Sequence, residues 1–473
     1  MGVLRLFLAL SVVFHHIPQS PFHWLHGSVA VIGFFMVSGF YMTLVINEKY
    51  RMAEGPWITR FYLSRAFRIF PVYLAVVLAV VLWYFVSHTP SVFTANMGHG
   101  FWGQLSLVWM NLFIFGQDWH QLTAFSLAEH DVNGYTAFMA GHFGTAYFGN
   151  SMMLIGQAWT LAIELLFYLL APFVVHSRRR IVVLFLASLL VRAAFRPLAD
   201  TFNPLAWGYY FFPSVLCFFL MGSLAYYLYR HVNQRAWANK AALPVNLLLL
   251  SGVLYVMAVK GYPIIEKATG YDTVALWLRY GAFALCLPFV FLLWKNNRVD
   301  RWLGDFSYPV YIVHGLVIGL VLGKTGLAQG SYAAQITILT VSLLVAGFAC
   351  VAIEVPFDRW RQRRFVAQVS SRQPLHPATP LKWVGAMTLA VCIYIGWLTM
   401  YSPLQAPPAR LVKVEQVLRY NIVNYNDRFY GIAFGIPIEW GGPNYEATPG
   451  LIIAKTQEEV SDAIHKQAGS APQ

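Results

Sequence analysis

The sequence predicts an all-α polytopic membrane protein: about ten helices in one bundle, one extra transmembrane helix, and a small α+β extracytoplasmic domain at the C-terminus. Three observations predict it. The chain of 473 residues is 58% hydrophobic and only 11% charged, whereas soluble domains carry about 25% charged residues. Eleven apolar runs long enough to cross a bilayer, or nearly so, begin near Leu4, Gly27, Ile69, Gln157, Ile181, Gly208, Val245, Thr273, Phe306, Gln335 and Trp383. Lys and Arg gather in alternate connections between them.

The first such connection, Asn47–Arg68, holds Lys49, Arg51, Arg60, Arg65 and Arg68. Later ones hold Arg178 to Arg180, then Arg230, Arg235 and Lys240, then Lys295, Arg298 and Arg301. The last holds Arg359, Arg361, Arg363, Arg364, Arg372 and Lys382, while Ser87–Gly156 has no Lys or Arg. This bias puts the N-terminus in the cytoplasm and the C-terminus outside. The formal charge of +13 therefore reports topology, and no nucleic-acid partner is expected. Met1–Ile17 lacks a basic region and a cleavage site and reads as a retained span. Cys217, Cys286, Cys350 and Cys392 lie in apolar runs without ligand spacing and read as buried thiols. No metal is predicted.

The first span, Leu4–Ile17, carries Arg5 and His16. Eleven steps of about 100° end about 20° past three turns, so both share one face, about 16 Å apart along the axis. His15 falls about 80° off it. Two readings fit. His16 faces a wet interior as a base or nucleophile, or Arg5 is an inner-face anchor and His16 an interfacial histidine. The second span holds Gly33-Phe-Phe-Met-Val-Ser38-Gly39-Phe40, small residues that let helix backbones approach.

Arg65 and Arg68 are spaced i, i+3 on one helix face. They form either a fork for phosphate oxygens or a basic strip on anionic headgroups. Pro71 reads as the start of the third span. Leu105–Phe115 is too short to span and reads as a re-entrant or outer-surface segment. Ser87–Gly156 holds His88, His99, His120, His130 and His142 at irregular spacing, with Trp102, Trp109, Trp119, Tyr135 and Tyr147. It is a solvated loop or a surface where a sugar docks.

Glu164, about 10 Å into the fourth span, needs a partner if buried. A contact to His16, or a structural tie to Arg or Tyr, would supply one. Arg192 and Arg196 depart from the charge rule; snorkelling or an anionic acceptor would account for them. In the ninth span Ser307, Tyr311 and His314 make one polar stripe, with Tyr308 and Pro309 between them. Counted from the cytoplasmic end, His314 is about 12 Å deep, either beside a cavity or bonded to a backbone carbonyl. Glu354 ends the tenth span and is expected to pair with arginines.

Taken together, Arg5-x10-His16, FFMVSGF, Arg65-x-x-Arg68, WTLAIELLFY, FSYPVYIVH and IEVP resemble, in order, the signatures of the acyltransferase-3 family of integral membrane O-acyltransferases. Leu165 and Leu166 stand where that family often has polar residues. The resemblance covers roughly Met1 to Arg364. It implies an acyltransferase membrane core over 1–364; composition, hydropathy and charge give a cytoplasmic linker over 365–382, the extra span over 383–402 and an extracytoplasmic domain over 403–473. It implies acyl-CoA, most often acetyl-CoA, as co-substrate, with its phosphates on Arg65 and Arg68. His16 and Glu164 would be catalytic, and Arg5, Ser38, Tyr308, Tyr311 and His314 would support or line the path. The acceptor would be a hydroxyl of a surface glycan or its lipid-linked precursor, at the cytoplasmic membrane of a bacterium, with membrane lipid around the core. Base and covalent acyl carrier remain open for His16. A glycolipid exporter with a His/Glu path is the alternative. The tail is too short for the esterase domain that some relatives carry and has no Gly-Asp-Ser stretch; it binds an acceptor or partner, or covers the outer mouth.

Overall fold

The computed structural model describes residues 1–17, 20, 25–52, 56–87, 101–127, 153–201, 206–258, 274–325, 327, 331–366, 412–417, 420–425, 428–433 and 451–469. The predicted eleventh span, the linker before it, and the histidine-bearing stretches 88–100 and 128–152 lie outside the described residues. The chain divides into two compact units, Met1–Gly385 and Ala386–Gln473.

The first unit is helical. Its helices are α1 Gly2–His16, α2 Gly27–Glu48, α3 Trp57–Ser87, α4 Phe101–Phe113, α5 Gln117–Leu127, α6 Trp159–Val174, α7 Arg178–Thr201, α8 Phe212–Val232, α9 Ala236–Ala258, α10 Val274–Trp294, α11 Arg298–Lys324, α12 Tyr332–Ala349 and α13 Val355–Arg361. Seven helical segments among the described residues are long and apolar enough to cross a membrane. α1 is apolar but has 15 residues, about 22 Å. α7 opens on three arginines and carries Arg192 and Arg196, which dilute its hydropathy.

α1 packs on α11 and α2, α2 on α8, and α8 on α7 and α10. α2 is apolar all round and accordingly buried on most sides. It crosses α8 through two glycines. A Cβ on Gly39 would fall 1.9 Å from the Phe219 carbonyl oxygen, and one on Gly222 would fall 1.9 Å from that of Met36. This is the close approach that the small residues in the second span predict. α3 instead shows Leu74, Leu78, Leu82 and Phe85 outward, a stripe at helical spacing suited to lipid.

Two helix starts differ from the sequence reading. α3 begins at Trp57, so Pro71 lies inside it. α11 begins at Arg298, so Pro309 is interior as well. Each helix extends past its apolar run because tertiary contacts hold the polar turns. Phe61 and Ser64 are fully buried in α3. The Asn297 side chain accepts from the Val299 and Asp300 N–H groups at 2.8 and 3.1 Å, capping α11. The short run near Leu105 folds as the helix pair α4 and α5. They are joined at Ile114, whose φ of 71° is unusual for a β-branched residue. Neither limb is long enough to span.

The second unit contains β1 Val412–Val417, β2 Tyr420–Tyr425, β3 Arg428–Ala433 and β4 Ile452–Ala454, an antiparallel sheet in the order β1-β2-β3-β4. Helix α14, Gln457–Gly469, buries Val460 and Ile464 with Ile422. Its start is a reciprocal cap: Glu459 N–H donates to Thr456 Oγ1 at 3.3 Å, and Thr456 N–H donates to Glu459 Oε2 at 3.3 Å.

Gly222→Ala is expected to lower the apparent melting temperature in detergent, by overpacking of about 1–3 kcal/mol. Gly252→Ala is the matched control, because nothing lies within 4 Å of a Cβ there; it is expected to leave the melting temperature unchanged or slightly higher.

Candidate active site

α1 and α11 run parallel and set the site. At one end the Val3 N–H donates to Asp300 Oδ1 at 2.9 Å, and the Met1 amine to Oδ2 at 2.5 Å. Gly2 sits so close that a Cβ would fall 1.5 Å from the Asp300 carbonyl oxygen. This end also carries Lys49, Arg65, Arg68 and Arg301 and is called the basic end below. At the other end His16 meets His314. Because α11 starts at Arg298, His314 lies about 24 Å along it, level with His16 at about 21 Å along α1.

His16 is exposed and His314 is 1% exposed. The Nδ1 of His16 is 2.9 Å from the Val12 carbonyl oxygen and 3.3 Å from His314 Nε2. The Nδ1 of His314 is 2.6 Å from the Tyr311 carbonyl oxygen. That bond satisfies the carbonyl-bound reading of His314, and its ring still reaches His16. Gln157 Nε2 braces the same turn by donating to the carbonyls of Tyr311 and Ile312 at 3.3 and 2.7 Å. The Tyr311 hydroxyl lies 2.7 Å from Thr160 Oγ1. His15 lies to the side, 5.5 Å from the His16 ring and 4.5 Å from the His26 ring. Sequence reasoning missed Gln157 and Thr160, although Thr160 lies in the WTLAIE stretch and Gln157 two residues before it.

Glu164 does not contact His16, which corrects one expectation for its partner. Ser38 Oγ donates to Glu164 Oε1 at 2.7 Å and the Tyr168 hydroxyl donates to it at 2.6 Å. The realised partner is thus the tyrosine tie. The reason is depth: Glu164 sits below Thr160 on α6, one turn further from the level of the histidines. The Tyr308 hydroxyl donates to the Ile69 carbonyl at 2.7 Å. A column of polar side chains thus follows α6 from the basic end toward the histidines: the bonded set Tyr168, Glu164 and Ser38, then Thr160 with Tyr311, whose turn carries His314.

Arg65 and Arg68, expected to act as a fork, have different partners. Arg68 is bonded to Glu354, lies 3.1 Å from Asp305, and is 3.6 Å from Asp358. Three carboxylates occupy its donors, so Arg68 is a structural tie, and the arginine partner expected for Glu354 comes from α3. Arg361 is bonded to Asp358, and its Nη1 donates to Ser64 Oγ at 2.8 Å. Arg65 has no carboxylate partner among the described residues, and its buried Nε has no hydrogen-bond partner. The charges of Arg65, Arg301 and Arg361 all act on Lys49. At the basic end Arg65 thus has a buried Nε–H without an acceptor and, among the described residues, no carboxylate beside it. Near Arg65 on α3, the Tyr62 hydroxyl donates to the Leu169 carbonyl and Phe67 packs on Trp360.

Arg5 lies at this end, with Nη1 3.8 Å from a Cβ built on Gly304, so it shares the face of His16 without reaching it. Arg192 is held inside the bundle. It donates to the Gly208 carbonyl at 2.6 Å and lies over Phe218 and Trp277. On α5, burial pushes the Asp118 carboxyl up to about 6. Among the described residues, no group of three or more His, Cys, Asp or Glu side chains is arranged to hold a metal ion.

The family model described as an acyltransferase domain, of the acyltransferase-3 type, matches residues 1–355. No curated protein and no solved structure matches the chain. The chain belongs to the acyltransferase-3 family and is a membrane acyltransferase.

Removing Arg68 leaves Glu354 buried without its cation. Arg68→Ala is expected to destabilise the fold by about 3–5 kcal/mol. Arg65→Ala, which breaks no ion pair, is expected to leave thermal unfolding in detergent nearly unchanged.

Proposed function

We propose that this membrane acyltransferase moves an acyl group, acetyl in the first instance, from acyl-CoA to a hydroxyl of a surface glycan or its lipid-linked precursor. The observation that carries the reading is the pairing of an exposed His16 with a buried His314 at one end of a polar column, with Arg65, which has no carboxylate partner among the described residues, at the other. A histidine near neutral pH serves either as a base or as a nucleophile. A cation without a carboxylate partner suits the phosphates of a coenzyme A donor.

In this reading the basic end is cytoplasmic, as the Lys/Arg bias requires. Arg65 binds donor phosphate, helped by Lys49 and the nearby Arg301; Arg68 holds the wall behind it. The acyl thioester extends along the column past Ser38, Tyr308 and Tyr311 toward His16. The acceptor hydroxyl enters from the opposite side. Its oxygen bonds to the acyl carbon, its proton passes to His16, and the carbon–sulfur bond breaks. The thiolate takes the proton back and leaves as coenzyme A. In the covalent variant the imidazole bonds to the acyl carbon as the carbon–sulfur bond breaks and the thiolate leaves; the hydroxyl oxygen then bonds to that carbon, the carbon–nitrogen bond breaks, and the hydroxyl proton passes to the released imidazole. Glu164 acts at a distance from the reacting atoms, as the charge that orders Ser38 and Tyr168 along the path.

The test is transfer of labelled acetyl from acetyl-CoA by the purified chain against a panel of bacterial glycan acceptors. His16→Ala is expected to abolish transfer with donor binding intact, and His15→Ala to keep it. Arg65→Ala is expected to raise the donor KM about 10–100-fold, the loss of one hydrogen bond to a charged group. Equal transfer by His16→Ala and the unaltered chain would overturn the assignment. Donor binding absent from the unaltered chain would favour the exporter instead.

A further inference from the structure

Whether His16 acts as base or as nucleophile, only one of its ring nitrogens can act, and the hydrogen bonds around the pair select it. A neutral imidazole has one N–H donor and one acceptor nitrogen. The Nδ1 of His16 faces the Val12 carbonyl at 2.9 Å, and the Nδ1 of His314 faces the Tyr311 carbonyl at 2.6 Å. A carbonyl oxygen only accepts, so each Nδ1 carries the proton. The Nε2 of His314 is then the acceptor nitrogen. It lies 3.3 Å from His16 Nδ1, positioned to share that same hydrogen.

We propose that His314 is a positioning residue that holds His16 with its proton on Nδ1 and its lone pair on Nε2, the nitrogen that reacts. The inference rests on the reading that His16 performs the transfer. The Val12 carbonyl belongs to α1 itself and cannot set the ring against the rest of the bundle. The second acceptor comes from α11. Rotating the His16 ring by half a turn would place a carbon against Val12 and His314, and both bonds would be lost. When Nε2 takes the acceptor's proton, the Nδ1–H bond to His314 becomes charge-assisted and strengthens.

His314 holds the ring and does not relay the proton. Its own N–H is committed to the Tyr311 carbonyl, which cannot take a proton. Passing a proton from His16 to His314 would leave a cation on a side chain that is 1% exposed, with no carboxylate ion-paired to it among the described residues, and such a charge is costly. Gln157 braces the Tyr311 turn from α6, so the acceptor nitrogen of His314 is itself fixed in place.

The experiment uses the full chain labelled with 15N-histidine and compares His314→Gln with His314→Met. The two side chains are similar in size, and only glutamine offers an oxygen acceptor. Nitrogen NMR reads the tautomer of His16, identified by the signal lost in His16→Gln, and kinetics are measured in parallel. The unaltered chain is expected to show His16 protonated on Nδ1. His314→Gln is expected to keep that tautomer with kcat within about tenfold of the unaltered chain. His314→Met is expected to show mixed tautomers and a kcat lower by about 100-fold or more, the range of a general base, with donor KM unchanged. A His16 protonated on Nε2 in the unaltered chain overturns the proposal without any variant. So does an unchanged tautomer or an unchanged kcat in His314→Met. Full activity in His16→Ala is a different result: it overturns the acyl-transfer role of His16 and removes the function of the pair, while the NMR still decides the proton assignment.

Discussion

The contact between α1 and α11 is the constraint on which the site depends. The helices run parallel with Gly2 against Asp300 and Gly304 at one end, close enough that no side chain fits between them. The Asp300 carboxylate fastens the first turn of α1 there. His16 and His314 lie fourteen residues beyond Gly2 and Asp300 on their respective helices, so the register set at the basic end puts their rings 5.1 Å apart at the other. Sliding one helix by a residue would move a ring about 1.5 Å along the axis and about 100° around it. Packing of interior density transmits that register with little slack.

Two carboxylates, the buried Glu354 and the half-buried Glu164, are held in different ways. Glu354 is bonded to Arg68, which also meets Asp305 and Asp358, tying α3, the start of α11 and the C-terminal turns of the bundle together. Paired charge of this kind is costly to break. Glu164 instead accepts from two hydroxyls, of Ser38 and Tyr168, which satisfies an anion without placing a cation in the path. The carboxylates that hold Arg68 are not shared with Arg65. That asymmetry neutralises Arg68 and leaves Arg65 without a carboxylate partner among the described residues.

Much of the fold was legible because membrane physics writes it locally. A span must be apolar over its length, and Lys and Arg must fall between spans, so the core helices can be found from composition alone. Helix starts were less legible. α3 and α11 continue through polar turns that only neighbouring helices bury, which is why Pro71 and Pro309 lie inside helices and not at their beginnings. Of the site, His16, His314, Tyr311 and Arg65 stand out as polar residues in apolar or basic helical surroundings. Their partners do not stand out: Gln157 is an ordinary polar residue at a helix start, and Arg361 is one of several arginines in a basic run.

By itself the sequence determined that the chain threads a membrane as a helical bundle, that it belongs among the acyltransferases, and that a polar face on the first helix carries Arg5 and His16. Those properties follow from periodicity, hydropathy and ordered motifs, each readable within one helix. The tertiary structure alone decided which polar groups meet. His16 pairs with His314 and not with Glu164, and Arg68 serves Glu354 while Arg65 has no carboxylate partner among the described residues. The reason is that partner choice depends on the axial register and rotation of helices far apart in the chain. Backbone contacts such as Gly2 on Asp300 and Gly39 on Phe219 set that register, and no spacing within a single helix encodes it.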